Sequence, residues 1–288
     1  MKNGFIIKKV SIIILIISVL FTTVSCSDNN VEKDKISIVC TAFSQYDFVK
    51  QIVGEKEDLF DITYLFENGA DVHSFENDVG FNVKIKIMNS DVFIYNGGES
   101  DSWVNNVLND KGMNKGCKTI SLLDIIGYDN LIESNLSEAH NHEHSEECID
   151  EYDEHVWLSL INADKICKGI CEIISSFDLD NKKHYEENSE RYCNKILSLH
   201  NETIKFFSEF QNPFVVVADR FPFSYLFLDY GIEYSAAFSG CSSEVTATYE
   251  NIIKLCREVE NRKLKYIIVL EKSNSNISSS VISASHQK

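Results

Sequence analysis

A single long segment without a helix breaker constrains this chain more than any other feature. Residues 181–210 contain neither proline nor glycine, and their apolar side chains recur at the spacing of an amphipathic helix. At 1.5 Å per residue, such a helix would be about 45 Å long. That length suits a molecule of two lobes. We therefore predict that residues 181–210 form one helix that connects two separately packed halves.

Short apolar runs alternate with helical patterns on both sides of this helix. Their composition and length are those of buried strands. They lie at residues 36–42, 59–66, 91–95, 118–121, 214–218, 232–237 and 266–270. Strands that alternate with helices pair in parallel through crossover connections. The predicted fold class is α/β, with mainly parallel sheets in an N-terminal lobe at 36–180 and a C-terminal lobe at 211–288.

The start of the chain resembles an export signal. Three lysines precede an apolar stretch at residues 10–21, which has signal-peptide length and is short for a membrane span. Small residues then lead to Cys26, as in a bacterial lipobox. We expect residues 1–25 to be removed and Cys26 to carry lipid, with 26–35 as a tether at the extracytoplasmic face of the cell membrane. An ordinary signal peptide and an uncleaved anchor helix are the alternatives.

The net charge of the chain limits the classes of partner that it can bind. The net charge of −17 becomes −20 once residues 1–25, which hold three lysines and no acid, are removed. Nucleic acid requires a basic surface. The charge therefore argues against nucleic-acid binding and is compatible with a cation as ligand.

The cysteines do not form a metal-binding pattern by themselves. Eight of them besides Cys26 lack the paired spacing of a zinc ribbon. Cys167 and Cys171 are one helical turn apart, which suits a shared packing face. Buried reduced thiols are the default interpretation, and a disulfide framework is the alternative for an exported chain.

Histidines and acids are concentrated in a predicted loop at residues 138–154. His140, His142 and His144 occupy alternate positions, and six acids follow before His155. Neutral imidazole is the commonest metal ligand, and nearby carboxylates raise the local concentration of divalent cations. The tract predicts metal handling, with a solvated acidic loop as the alternative. His155 lies where this loop enters an apolar element, so it needs a second ligand from elsewhere.

Several segments resemble those of one known family. Residues 69–76 are similar to a G-x-D-P-H-x-Y-E motif, residues 90–98 with Trp103 to an A-D-x-x-x-x-N-G…W motif, and residues 154–159 to a P-H-V-W-L-S motif. A His-rich loop lies between the second and third motifs. In this order the segments resemble the zinc/manganese solute-binding lipoproteins of bacterial ABC uptake systems.

The resemblance implies a metal site in the cleft between the lobes, with His73 and His155 as ligands through neutral imidazole. Zinc is the expected ion because it accepts nitrogen ligands, and manganese is less expected because it prefers more oxygen. His140, His142 and His144 would form a weak outer site. The implied function is capture of the ion and its delivery to an ABC permease and its ATPase, without enzymatic activity.

The chain departs from the family pattern at the remaining ligands. Val72 replaces a proline, and Arg220 occupies the place of a third histidine, with Asp219 beside it. The family's last ligand is an acid in a C-terminal strand and loop that we expect this chain to lack. The C-terminal lobe is therefore expected to be truncated. Asp219 and His286 are the candidate replacements.

Two other functions are alternatives to this one. A metal-buffering or adhesin-like surface lipoprotein without a permease would share the lipobox and the His-rich loop. A zinc hydrolase is disfavoured because the sequence contains neither HExxH nor GxSxG.

Overall fold

A parallel sheet of four strands organises the first half of the protein. The computed structural model describes residues 35–66, 79–133, 152–238, 247–271 and 275–285. The strands are β1 (Ile36–Cys40), β2 (Phe60–Tyr64), β3 (Val92–Tyr95) and β4 (Lys118–Ser121). They lie in the order β2-β1-β3-β4, and all neighbours pair in parallel. This agrees with the α/β class predicted from the alternating pattern.

Helices follow the four strands in turn and cover both faces of the sheet. They are α1 (Phe43–Val53), α2 (Phe81–Met88), α3 (Val104–Leu108) and α4 (Leu122–Ile126). Ile38 and Ile94 belong to one apolar cluster, and Val39 and Phe93 to another, because successive side chains of a strand alternate between faces. Burial on both faces explains why these strands are continuously apolar.

Two long helices pack together after the first sheet. They are α5 (Leu160–Phe177) and α6 (Lys182–Phe207), joined by the 3₁₀ turn Leu179–Asn181. The helix predicted at residues 181–210 is α6, which is 26 residues long. Most of its buried side chains lie in its first half, whereas Leu199 and Phe206 in its second half are 52% and 55% exposed.

A smaller parallel sheet lies in the second half. Its strands β5 (Phe214–Val217) and β6 (Glu233–Ala236) are connected by α7 (Ser224–Tyr230). Helices α8 (Tyr249–Arg262) and α9 (Asn276–Ala284) follow.

The strand predicted at residues 266–270 is reduced to one residue. Ile268 forms a parallel bridge with Val217, and its backbone bonds to Val216 and Ala218 at 2.8 and 2.9 Å. Tyr266 nearby is 85% exposed. The segment therefore touches β5 at Ile268 instead of extending along it.

Several predictions concern residues outside those that the structure describes. These are the signal peptide at 1–25, Cys26 and nearly all of the tether at 26–35, together with His73, His140, His142, His144 and His286. They stay predictions, as do the lobe boundaries. In the described ranges, no helix is both long and apolar enough to cross a membrane.

Candidate metal centre

His155 lies in a polar turn directly before the 3₁₀ turn Val156–Leu158. It is 7% exposed, and its ring lies 5.4 Å from that of Trp157, centre to centre. Its Nδ1 lies 2.7 Å from Asp153 Oδ1, and its backbone N–H donates to the same oxygen at 2.9 Å. One carboxylate oxygen therefore holds both the ring and the backbone of His155.

The charge of Asp153 determines which ring nitrogen carries the proton. Burial raises the pKa of Asp153, but the hydrogen bond and charge of His155 and a bond from Ser224 outweigh burial and leave the pKa below its ordinary value. An ionised carboxylate only accepts hydrogen bonds. In the neutral imidazole, Nδ1 must then donate, and Nε2 carries the lone pair.

Tyr225 of α7 holds this turn from the second half of the protein. Its hydroxyl donates to the carbonyl of Asp153 at 2.8 Å and accepts the N–H of Ile132 at 3.1 Å. Burial raises the pKa of Tyr225 to about 12, so the phenol stays protonated at neutral pH. Glu133 and Tyr152 also form an antiparallel bridge. The two chain segments on either side of residues 134–151 are thus tied to each other and to α7.

Glu154 attaches the same turn to the carboxyl end of β3. Its Oε2 accepts bonds from the backbone N–H and the hydroxyl of Ser100, at 3.1 and 2.7 Å. Its side chain packs so closely on Gly98 that a Cβ there would lie 2.3 Å from Glu154 Cβ. Glu154, the residue before His155, therefore anchors the turn with a buried side chain, and Gly98 leaves room for that side chain.

The loop after β3 is fixed by buried polar side chains. Asp101 Oδ2 accepts the N–H groups of Asn96 and Gly97 at 2.5 and 3.1 Å. Gln45 Nε2 donates to Asn96 Oδ1 at 2.7 Å, and Ser121 Oγ donates to the carbonyl of Asn96 at 3.2 Å. Gly97 has a φ of 100°, which favours glycine. The network joins the carboxyl ends of β1, β3 and β4 into one rigid edge beneath Glu154.

Asp219 follows β5 and is 5% exposed. Its Oδ2 accepts the N–H of Leu270 at 2.9 Å, and its Oδ1 accepts the N–H of Arg220 at 2.8 Å. The carboxylate thereby holds the end of β5 to the segment that contains Ile268. This is the role that its contacts show, whereas a role as metal ligand stays a prediction.

The described residues do not form a complete metal site by themselves. Among residues 35–66, 79–133, 152–238, 247–271 and 275–285, no three side chains of His, Cys, Asp or Glu are grouped so that they could hold an ion. Nδ1 of His155 faces Asp153, and the other histidines of the predicted site lie outside these ranges. The full ligand set therefore stays a prediction.

The sequence pattern predicts His155 as a ligand but gives little indication of the residues that hold it in place. Asp153 belongs to a run of acids, but it also lies two residues before His155, where a carboxylate can accept the backbone N–H of His155. Gln45 carried a clearer signal, because it stands at the third position of α1 and can reach back to the N–H groups before the helix. The bonds of Tyr225 cross 93 and 72 positions of sequence and left no local signal.

Known proteins share this α/β architecture. The crystal structure of Zn(II)-bound AdcA from Streptococcus pneumoniae superposes with a TM-score of 0.65 and 27% identity, covering 87% of this chain and 49% of that one. The chain belongs to the ZnuA family, whose model, described as "Zinc-uptake complex component A periplasmic", matches residues 38–288.

Curated relatives agree with this assignment. The zinc-binding lipoprotein AdcA of Streptococcus pneumoniae (strain ATCC BAA-255 / R6) is 30% identical over 269 residues, which are 93% of this chain and 51% of AdcA. The high-affinity zinc uptake system protein ZnuA of Bacillus subtilis (strain 168) is 26% identical over 287 residues, 94% of this chain and 84% of ZnuA. The chain spans about half the length of the AdcA relatives that it matches.

Proposed function

We propose that this protein is an extracytoplasmic receptor that captures zinc and delivers it to an ABC permease and its ATPase. Membership of a zinc-uptake family and relatives named as zinc-binding proteins support the proposal. The single structural observation that carries it is the pair formed by His155 and Asp153.

The pair has the arrangement that metal-ligating histidines use. Such histidines donate one ring N–H to a carboxylate or carbonyl, which fixes the ring and makes the other nitrogen more basic. In His155, the proton on Nδ1 faces Asp153, so Nε2 would coordinate the ion. Trp157 and the buried turn limit the movement of the ring.

His73 would supply a second imidazole. Its loop follows β2, and the carboxyl ends of parallel strands lie at one edge of a sheet. The anchored turn of His155 rests on the same edge through Glu154 and Ser100. Asp219 and His286 are the candidates for the further ligands, and His286 is the stronger of the two because both oxygens of Asp219 already accept backbone N–H groups. Nitrogen donors favour zinc over manganese.

We assign two further roles to residues outside the described ranges: weak initial binding of zinc and attachment of the protein to the membrane. His140, His142 and His144 would bind zinc weakly, because a polar loop must lose chain entropy to organise its ligands. Lipid on Cys26 would hold the protein at the outer face of the cell membrane, next to the permease. Binding and release without chemistry would suffice for this role, so no catalytic activity is proposed.

Two measurements, made one after the other, test the proposed function. In an equilibrium titration against a zinc chelator, the protein should bind zinc far more tightly than about 1 μM, which corresponds to about 8 kcal/mol. Micromolar or weaker binding would overturn the capture role. In vesicles that contain the permease and ATPase, zinc uptake should then depend on the protein. Tight binding without any effect on uptake would identify a metal buffer instead.

A further inference from the structure

Helices α5 and α6 contact each other through small side chains. Cys167, Cys171 and Ser175 follow one another at four-residue spacing on α5, and Ser189 and Cys193 do so on α6. All five are at most 5% exposed. Small side chains let helix axes approach the lower end of the usual range of about 8–10 Å. The contact between the two helices therefore brings thiols of both close together.

The hairpin register places one thiol of each helix opposite the other. Cys167 and Cys193 are equally distant in sequence from Asp180, the central residue of the turn Leu179–Asn181. Cys167 Sγ lies 3.5 Å from Ser189 Oγ, one turn of α6 from Cys193, and the Cys193 thiol donates to the backbone carbonyl of Asp164 at 3.8 Å. Both sulfur atoms therefore lie within the narrow seam between α5 and α6.

The two thiols also affect each other's ionisation. Their mutual hydrogen bond is the largest influence on both: it lowers the pKa of Cys167 and raises the pKa of Cys193. Burial and the carboxylate of Asp164 add to the increase at Cys193. Of the two thiols, Cys167 is therefore the one that ionises more readily.

A cavity gives small molecules access to this pair. It has a volume of about 460 Å³ and lies between α5 and α6, where Asp164, Cys171, Ser189 and Cys193 line it. Cys167 is fully buried and does not line the cavity. A reagent that enters would meet Cys193 first, with Cys167 behind it.

We propose that Cys167 and Cys193 form a disulfide between α5 and α6 when a small-molecule disulfide enters this cavity. Cys193 reacts first because it lines the cavity: its sulfur attacks one sulfur of the reagent R–S–S–R as its proton leaves, giving Cys193–S–S–R and RSH. The Cys167 thiolate then attacks the Cys193 sulfur and displaces the second RS⁻. The two thiol protons end on two RSH molecules, so the chain loses two hydrogens and the reagent gains two electrons.

The disulfide would restrain the part of the fold that follows the candidate metal centre. Helix α5 begins directly after the turn of His155, and α6 packs against both α5 and α1. A covalent link would stabilise this hairpin chiefly by constraining the unfolded chain. The inference does not depend on the proposed zinc function, because neither thiol takes part in that site.

The experiment oxidises the full chain with oxidised glutathione and maps its disulfides by peptide mass spectrometry after alkylation. We expect a peptide pair linked through Cys167 and Cys193, and a thermal midpoint higher by several degrees, as expected for a link that closes a loop of this size. Cys171→Ser is the matched control in the same cavity, and it should retain the link. Cys193→Ser should lose the link, with Cys167 remaining unmodified.

Cys256 serves as an internal control for the reagent. It is a half-buried free cysteine on α8, outside the hairpin. If Cys256 becomes glutathionylated while Cys167 and Cys193 of the wild type stay reduced, the proposal fails. A link between Cys171 and Cys193 would also overturn it, and the wild-type map decides both outcomes even if a variant does not fold.

Discussion

The two halves of the protein each contain an aspartate that is largely shielded from solvent, and the two carboxylates bind different groups. Asp153 accepts bonds from the imidazole and backbone of His155. Asp219 accepts bonds from the backbone N–H groups of Arg220 and Leu270. The first carboxylate orients a side chain, and the second fixes the path of the main chain. Burial and charge alone would not have distinguished these roles.

The largest effect is expected for His155→Ala. Loss of one of four ligands should remove several kcal/mol of zinc affinity, an increase of about 100-fold or more in Kd. Competition titration with a chelator measures this change. His200→Ala is the control, because His200 is also partly buried but its Nδ1 bonds to the Tyr230 hydroxyl at 3.0 Å. Equal zinc affinity of His155→Ala and the wild type would remove His155 from the site.

Asp153→Asn should give the next largest effect. The amide keeps the size of the side chain but removes the charge that holds the proton on Nδ1 of His155. We expect zinc affinity to fall by about 10- to 100-fold, while circular dichroism shows an unchanged fold. Asp47→Asn is a suitable control, since Asp47 accepts a bond from Tyr192. If only the stability of Asp153→Asn changes, Asp153 does not act through the imidazole.

If the comparison is correct, Asp219→Asn should affect the stability of the fold more than zinc affinity, which is the opposite of Asp153→Asn. Removing the charge from two backbone hydrogen bonds should cost about 1–3 kcal/mol of unfolding free energy, measured by urea denaturation. Zinc affinity should change less than in Asp153→Asn. A fall in affinity as large as that of His155→Ala, with unchanged stability, would instead make Asp219 a metal ligand.

Tyr225→Phe should have the smallest effect at neutral pH. The change leaves one N–H and one carbonyl without the phenol, at a cost of about 1 kcal/mol. The folded pKa of about 12 exceeds the unfolded value of about 10, so the phenol's contribution is complete below about pH 10 and is lost as the pH rises through 12. Urea unfolding of both proteins should show their difference shrinking above pH 10. A difference that grows with pH would contradict this assignment.

The fold was predictable from sequence because its signals are local. The apolar runs of β1 to β4 and the unbroken helical pattern of α6 lie within a few residues of the observed elements. The predicted strand at residues 266–270 failed because pairing depends on the partner strand, and only Ile268 meets β5. Local periodicity does not contain that information.

The site was less predictable because its contacts join distant residues. The sequence placed His155 at the entrance to an apolar element, but the bonds from Glu154 to Ser100 and from Leu270 to Asp219 span 54 and 51 positions. No spacing rule predicts such partners. For His73, His140, His142 and His144, the assignment stays a prediction from sequence and family resemblance.

The antiparallel bridge between Glu133 and Tyr152 joins the chain before residue 134 to the chain that leads into the turn of His155. The bridge and the Tyr225 hydroxyl hold both ends of residues 134–151 in place. In general, doubling the number of residues between two fixed points of a chain costs only about 0.6 kcal/mol of closure free energy. Natural variants could therefore gain or lose histidines and acids in this interval while the geometry of Asp153 and His155 is preserved. The composition of residues 134–151 and the geometry at His155 can therefore change independently during evolution.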